Sequence, residues 1–422
     1  MCNCTASAFH QKINAMQRYT QPLLAAGIIA VSFLLLTAGT RFQKSKRQNP
    51  SADTVTKGPD ATTPVQEMNP TGEQKIQVAI LLDVSNSMDG LIDQAKAQLW
   101  TMVNTLGRVQ CDNKKAPRIE IALYEYGTPR NDAESGYIKQ INNFITDLDS
   151  LSENLFALTT NGGDEYCGQV IYRSMQELKW DPNPASYKVI FIAGNESFRQ
   201  GTVSFTKACE AAKNKGVVVN TVYCGDRMQG IREYWNLQAE CGNGTFSFIN
   251  QNEKIEDIPT PFDELIYKLN QQLNQTYIPY GVQGKQYYSK QEQMDVANAT
   301  VSKKAAIQRA EAKSNSKIYN NSGWDLVDRA SEGDAVYDQV DFKTLPDSLQ
   351  RKSKAQLKQV VEQKRKERAS IQAQIISANQ KRAAYIREQQ AKGTTGKQPA
   401  TLETEVEKII RDQVLRYRMQ IQ

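Results

Sequence analysis

Histidine is almost missing from this chain of 422 residues: the only one, His10, precedes an apolar N-terminal run. The remainder cannot build a Ser-His-Asp triad, a Cys-His pair, a histidine-ligated zinc site or a haem with a histidine axial ligand. Cysteine is sparse too. The seven, at positions 2, 4, 111, 167, 209, 224 and 241, include no close pair inside the folded region, which argues against a thiolate zinc site or a thioredoxin-like redox centre. No glycine-rich phosphate-binding loop is present, so any ATPase working with this protein would be a separate chain. The net charge of +6 is too mild to indicate nucleic acid, which calls for a concentrated basic surface. These absences exclude most familiar hydrolase chemistry within this chain; no enzyme is expected, and nucleic acid is not expected among its partners.

What is present is a globular composition, 40% hydrophobic with 24 glycines and 14 prolines. Charge is unevenly spread: about +9 lies from Thr276 onward and about −3 before it, so the basic character belongs to one region. Residues 23–39, LLAAGIIAVSFLLLTAG, carry no charge and read as a short membrane-spanning segment or a signal-peptide core. No cysteine ends the run, so lipoprotein anchoring has no support. Arg41, Lys44, Lys46 and Arg47 follow it, and the positive-inside tendency would then hold the main body in the cytoplasm. Against that stands the reading adopted here, a single-pass anchor with the body periplasmic or extracellular. Residues 41–73, rich in Pro, Thr, Ser, Asn and Lys, read as a flexible tether. The expected organisation is a tail at 1–22, the apolar segment at 23–40, a linker at 41–73, a domain at 74–275, an accessory segment at 276–345 and a basic helical region at 346–422.

Within 74–275, short β-branched runs such as KIQVAILLD, RIEIALYEYG, YKVIFIAG and VVVNTVYCG alternate with helical patterns. Runs apolar at successive positions suit strands buried on both faces, with helices supplying the crossovers that parallel strands need. The expected fold class is α/β, a doubly wound and mostly parallel sheet, with helices added at the C-terminal end. Ligands of such sheets collect at the C-terminal strand edges, which points to the loops after Leu82, Leu158, Ile192 and Tyr223.

The loop after the first strand reads Asp83-Val84-Ser85-Asn86-Ser87. One carboxylate and two hydroxyls at alternate positions of a tight turn can face one point, and an all-oxygen set suits a hard divalent ion such as Mg²⁺. The plain alternative is helix capping by Asp and Ser. This D-x-S-x-S loop at the end of a first buried strand resembles a von Willebrand factor type A domain, whose metal-ion-dependent adhesion site opens with it; the resemblance covers about half the chain. It implies a Rossmann-like sheet and a bound Mg²⁺, with Mn²⁺ or Ca²⁺ as substitutes. Ser85 and Ser87 would ligate the metal directly, and Asp83 largely through water. The second loop, Thr159-Thr160-Asn161-Gly162-Gly163-Asp164-Glu165, aligns Asp164 with the family's threonine and leaves Thr160 as second choice. In the third loop, Gly194-Asn195-Glu196, glycine stands where the family carries aspartate, so Asn195 or Glu196 would supply the replacement oxygen. That GNE loop resembles a group of bacterial membrane or exported proteins. An open metal position would accept a carboxylate from a protein partner.

Cys167 and Cys224 are expected near that rim, bridged to each other or Cys224 to Cys241 if the domain is exported. Residues 349–390 lack proline and glycine and read as a long helix with an imperfect coiled-coil stripe through Leu357, Val361, Ile371, Ile375, Ala378 and Tyr385. A last helix presents Val406, Ile409, Ile410 and Val414 on one face, for docking or self-association. Three readings result: a metal-dependent protein-binding module, a scaffold that has lost the metal, and a regulatory subunit of an ATPase-containing complex.

Overall fold

A computed structural model describes residues 73–250, 252, 257–392 and 401–422. The apolar segment at 23–39 and the tether lie outside the described residues. Among the described residues, no helix is long and apolar enough to cross a membrane.

The strands are β1 (Lys75–Asp83), β2 (Val109–Cys111), β3 (Arg118–Tyr126), β4 (Ile138–Ile145), β5 (Tyr187–Gly194), β6 (Val218–Cys224), β7 (Phe246–Ile249) and β8 (Met419–Ile421). Six of them form one sheet in the order β4-β3-β1-β5-β6-β7, parallel except for β4 at the edge. The order reverses on either side of β1. That is the topological switch point, where loops after β1 and β5 part and leave a crevice.

Crossover helices α1 (Asp89–Gly107), α2 (Leu148–Phe156), α3 (Cys167–Glu177), α4 (Phe205–Asn214), α5 (Arg227–Arg232) and α6 (Trp235–Cys241) cover the sheet. Alternate residues of each strand feed two cores. Val78 and Leu82 of β1 join α1 and α2 on one face, while Ala79 and Leu81 join α3, α4 and Trp235 on the other. Strands buried on both sides explain why their sequences are apolar at every position rather than every second one.

The C-terminal third forms α7 (Asp263–Asn274), α8 (Gly284–Val301), α9 (Lys303–Ser314), the short α10 (Leu326–Arg329), α11 (Val336–Gln339) and α12 (Asp347–Gln350), then α13 (Lys354–Lys392) and α14 (Leu402–Val414). It adds a layer over the α1 face. Leu273, Tyr277, Trp324, Ile375 and the α14 face of Val406, Ile409, Ile410 and Val414 share the core with α1 and the strands, so that face docks on its own chain. Thr401 and Thr404 close a capping box at the start of α14, and β8 pairs antiparallel with β2. A satellite core gathers Ile278, Leu326, Val336, Leu345, Leu357 and Val361. The stripe read along α13 is thus spent inside the chain: Leu357, Val361, Ile375 and Ala378 are buried against it.

Buried ions tie this layer down. Arg309, 1% exposed, donates to Asp149 at 2.7 Å and to Asp295 at 2.5 Å, and Lys313 reaches Asp295 at 2.8 Å. Arg368 bridges Asp325 and Asp328, both at 2.6 Å, and Arg382 bridges Asp257 and Asp263, both at 3.0 Å. Several of α13's exposed cations, among them Lys354, Lys358 and Arg365, pair with acids of the same chain. Its basic count therefore overstates the charge offered to a partner.

The disulfide joins Cys209 of α4 to Cys241 of α6, with Cα atoms 5.8 Å apart, and neither pairing expected from sequence forms. The sheet is the reason. Cys224 points into the α1 face and Cys167 into the opposite one, where α6 and Cys241 also pack. Cys111, Cys167 and Cys224 are free and buried.

Candidate metal centre

The site is built from the ends of β1 and β5 and the loop entering α3. Asp83 closes β1, is fully buried, and its Oδ1 accepts the Ser85 N–H at 2.8 Å. That bond turns the chain sharply, so the Ser85 and Ser87 hydroxyls come within 3.2 Å of each other. The Ser85 hydroxyl makes no capping bond to the helical turn it precedes. Helix capping by Ser85 is therefore not what the motif provides. Asn195, from the loop after β5, donates its amide to Ser87 Oγ at 3.2 Å, joining the first and third loops.

The glycine at 194 has a steric cause. A Cβ there would lie 2.4 Å from the Tyr126 hydroxyl and 2.9 Å from Asp83 Cβ. Tyr126 is buried and donates to the Ala193 carbonyl at 3.0 Å, so the space an aspartate would need is filled. The side-chain oxygens next in the third loop are those of Asn195, which touches Ser87, and Glu196, whose Oε2 accepts from Gln200 at 2.8 Å.

The second loop crosses the first: Asn161 N–H donates to the Val84 carbonyl at 2.8 Å. Leu158, expected at a strand edge, instead follows α2. Thr160 does not enter the cluster; its hydroxyl bonds Asp89 at the start of α1. Asp164, aligned with the family's threonine, is exposed and sits against Tyr166. The inward carboxylate is the neighbour, Glu165, which is buried beside Asp83, Glu196 and Ser85. Gly127, at φ +83°, makes room for it, since a Cβ there would lie 2.8 Å from both Asp83 Oδ1 and Glu165 Cγ. Two adjacent acids before a helix look alike in sequence; only the phase of α3, starting at Cys167, turns one in and one out.

Burial pushes the Asp83 carboxyl up to about 7, with the Glu196 charge adding to it. Glu165 is pushed up to about 8, by burial first and then by Asp83 and Glu196. No ion pair from Lys or Arg reaches Asp83, Glu165 or Glu196 among the described residues. Asp83 Oδ2 has no hydrogen-bond partner among them either. A buried, unpartnered carboxylate oxygen among like charges is the electrostatic condition a cation relieves. Burial also pushes the Cys167 and Cys224 thiols up, away from the thiolate form. Among the described residues no three Asp, Glu, Cys or His side chains converge closely enough to hold an ion alone. Coordination there needs the serine hydroxyls and the Asn195 amide oxygen as well.

No family model and no curated protein matches the chain. Among solved structures, it is similar to an aerotolerance-related membrane protein from Bacteroides fragilis, at 16% identity over 42% of this chain and 93% of that one, TM-score 0.30. It is similar to the SpRpn10 VWA domain at 14% identity over 42% and 88%, TM-score 0.31. A third is proximal thread matrix protein 1 from the mussel byssus with a zinc-occupied MIDAS motif, at 12% identity over 42% of each chain, TM-score 0.30. At those identities and scores the likenesses carry nothing about function. Residues 75–249 have a von Willebrand factor type A fold, seen in the chain's own strand order, its antiparallel edge strand and the D-x-S-x-S loop ending the central strand.

Proposed function

We propose that this chain is a protein-binding module that works through a divalent cation, Mg²⁺ with Mn²⁺ or Ca²⁺ as substitutes, and is not an enzyme. The observation that carries the reading is Asp83 Oδ2, buried and without a hydrogen-bond partner among the described residues, beside two serine hydroxyls at the sheet's switch point. Ser85, Ser87 and Asn195 would hold the ion with Asp83, Glu165 and Glu196. Such an ion supplies Lewis-acid coordination to an oxygen from outside, here a carboxylate of a protein partner. Asp164 and Thr160, displaced from the inner cluster, line the rim where that partner would lie.

The apolar segment at 23–39 would tether the module to a bacterial membrane or direct its export. The Cys209–Cys241 disulfide supports a body outside the cytoplasm, because disulfides persist in oxidising compartments.

A second reading, the metal-independent scaffold, is favoured by Gly194, which brings no carboxylate to the third loop. Calorimetry separates the two. Titration of Mg²⁺ or Mn²⁺ into the wild type gives a binding heat that Asp83→Ala abolishes; identical traces for both proteins select the scaffold. A pull-down with and without chelator then tests whether the partner needs the ion.

A further inference from the structure

On the sheet face that carries the C-terminal layer, the side chains leave a cavity between β1, α1, α2 and α14. Its wall includes Ile80, Leu99, Met102, Leu155 and Val406. The atom-free space is about 650 Å³ with the mouth included, and only a small part of it is enclosed. Two long polar side chains interrupt the apolar lining, Gln98 and Glu403.

Those two differ in how they are satisfied. Glu403 pairs with Lys304 at the edge of the layer. Gln98 is 4% exposed, and both its amide oxygen and its amide nitrogen lack a hydrogen-bond partner among the described residues. An amide left so in an apolar wall loses its hydration without replacement, whereas a leucine would fill the same space without that cost. Nothing in the fold requires an amide at this point of α1.

We infer that this cavity is a binding site for a small, neutral, apolar molecule with one hydroxyl or amide group, which hydrogen-bonds Gln98. A hydroxyl donates to Oε1 and accepts from Nε2, matching both unpartnered atoms. The molecule is neutral because Glu403 is paired with Lys304, so no free charge of either sign faces the lining, and an ion against an otherwise apolar wall would go unpaired.

Phenol and toluene probe it on the full chain, since they share a ring and differ in the hydroxyl. Ligand-observed NMR and thermal shift are expected to show saturable phenol binding about tenfold tighter than toluene. Gln98→Leu should reverse that preference, and Leu155→Trp, which fills the cavity, should abolish both. Failure of both compounds to saturate, as when water alone satisfies Gln98, overturns the inference. So does a preference that Gln98→Leu leaves unchanged, a result that decides the matter even if Leu155→Trp does not fold.

Discussion

Two clusters of buried charge in this molecule are built on opposite plans. In the clasp between α2, α8 and α9, the cations Arg309 and Lys313 meet the anions Asp149 and Asp295 within the chain. In the cluster at the end of β1, Asp83 and Glu165 are buried with Glu196 beside them and no cation of the chain paired to them among the described residues. A balanced cluster fixes helices in place; the burial of an unbalanced one is relieved by protonation or by a bound cation.

The largest effect that could break this contrast is on the clasp. Arg309→Ala leaves Asp149 and Asp295 short of a partner and is expected to destabilise the fold by about 3–5 kcal/mol in urea denaturation. Asp83→Asn should do the reverse in the absence of metal, stabilising the protein by about 1–3 kcal/mol at pH 8 while losing Mg²⁺ binding. A destabilised Asp83→Asn would place that carboxylate with the structural ions.

Steric crowding at the third loop sharpens the same point. Gly194→Ala is expected to cost about 1–3 kcal/mol, and Tyr126→Phe in the same chain to recover part of it, read from paired denaturation curves. Equal curves for Gly194→Ala and wild type would mean that Tyr126 and Asp83 do not fill that space.

The two clusters also respond to pH with opposite sign. Carboxyls raised in the folded state, Asp83 to about 7 and Glu165 to about 8, ionise more readily when unfolded. The metal-free protein should therefore lose stability as pH rises from about 4 through about 8. Saturating Mg²⁺ should flatten that decline. Burial opposes ionisation of Asp295, yet Lys313 and Arg309 outweigh it and hold the carboxyl well below the usual range. Its contribution is present above about pH 4 and lost as pH falls further. Urea midpoints across pH, with and without Mg²⁺, measure both slopes. The smallest expected effect is at the cap of α14, where Thr401→Ala should cost about 1 kcal/mol.

Much of the domain was legible because buried parallel strands leave uninterrupted apolar runs, and β1, β3, β5 and β6 lie where those runs are. The turn after β1 was legible for a related reason: the alternate spacing of Asp83, Ser85 and Ser87 nearly dictates that their side chains gather there. Glu165 was not. Its inward placement depends on Gly127, nearly forty positions earlier, vacating the volume its side chain enters. The disulfide was misread because strand alternation sends Cys167 and Cys224 to opposite faces, a separation that cysteine spacing does not encode. In α13, Arg368 and Arg382 fall within the apolar stripe, and both are buried ion-pair clamps.

By itself the sequence determined the alternation of strand and helix, the oxygen-bearing turn after the first strand and the long uninterrupted helix near the C-terminus. These depend on residues close together in the chain, where hydrophobic period and backbone preference act directly. Tertiary structure alone decided which acid faces Asp83, why position 194 must be glycine, which cysteines meet, and that the basic third covers the α1 face of the sheet. Each of those is a question of shared volume or charge between distant segments, and it acquires an answer only when the sheet assigns each side chain a face.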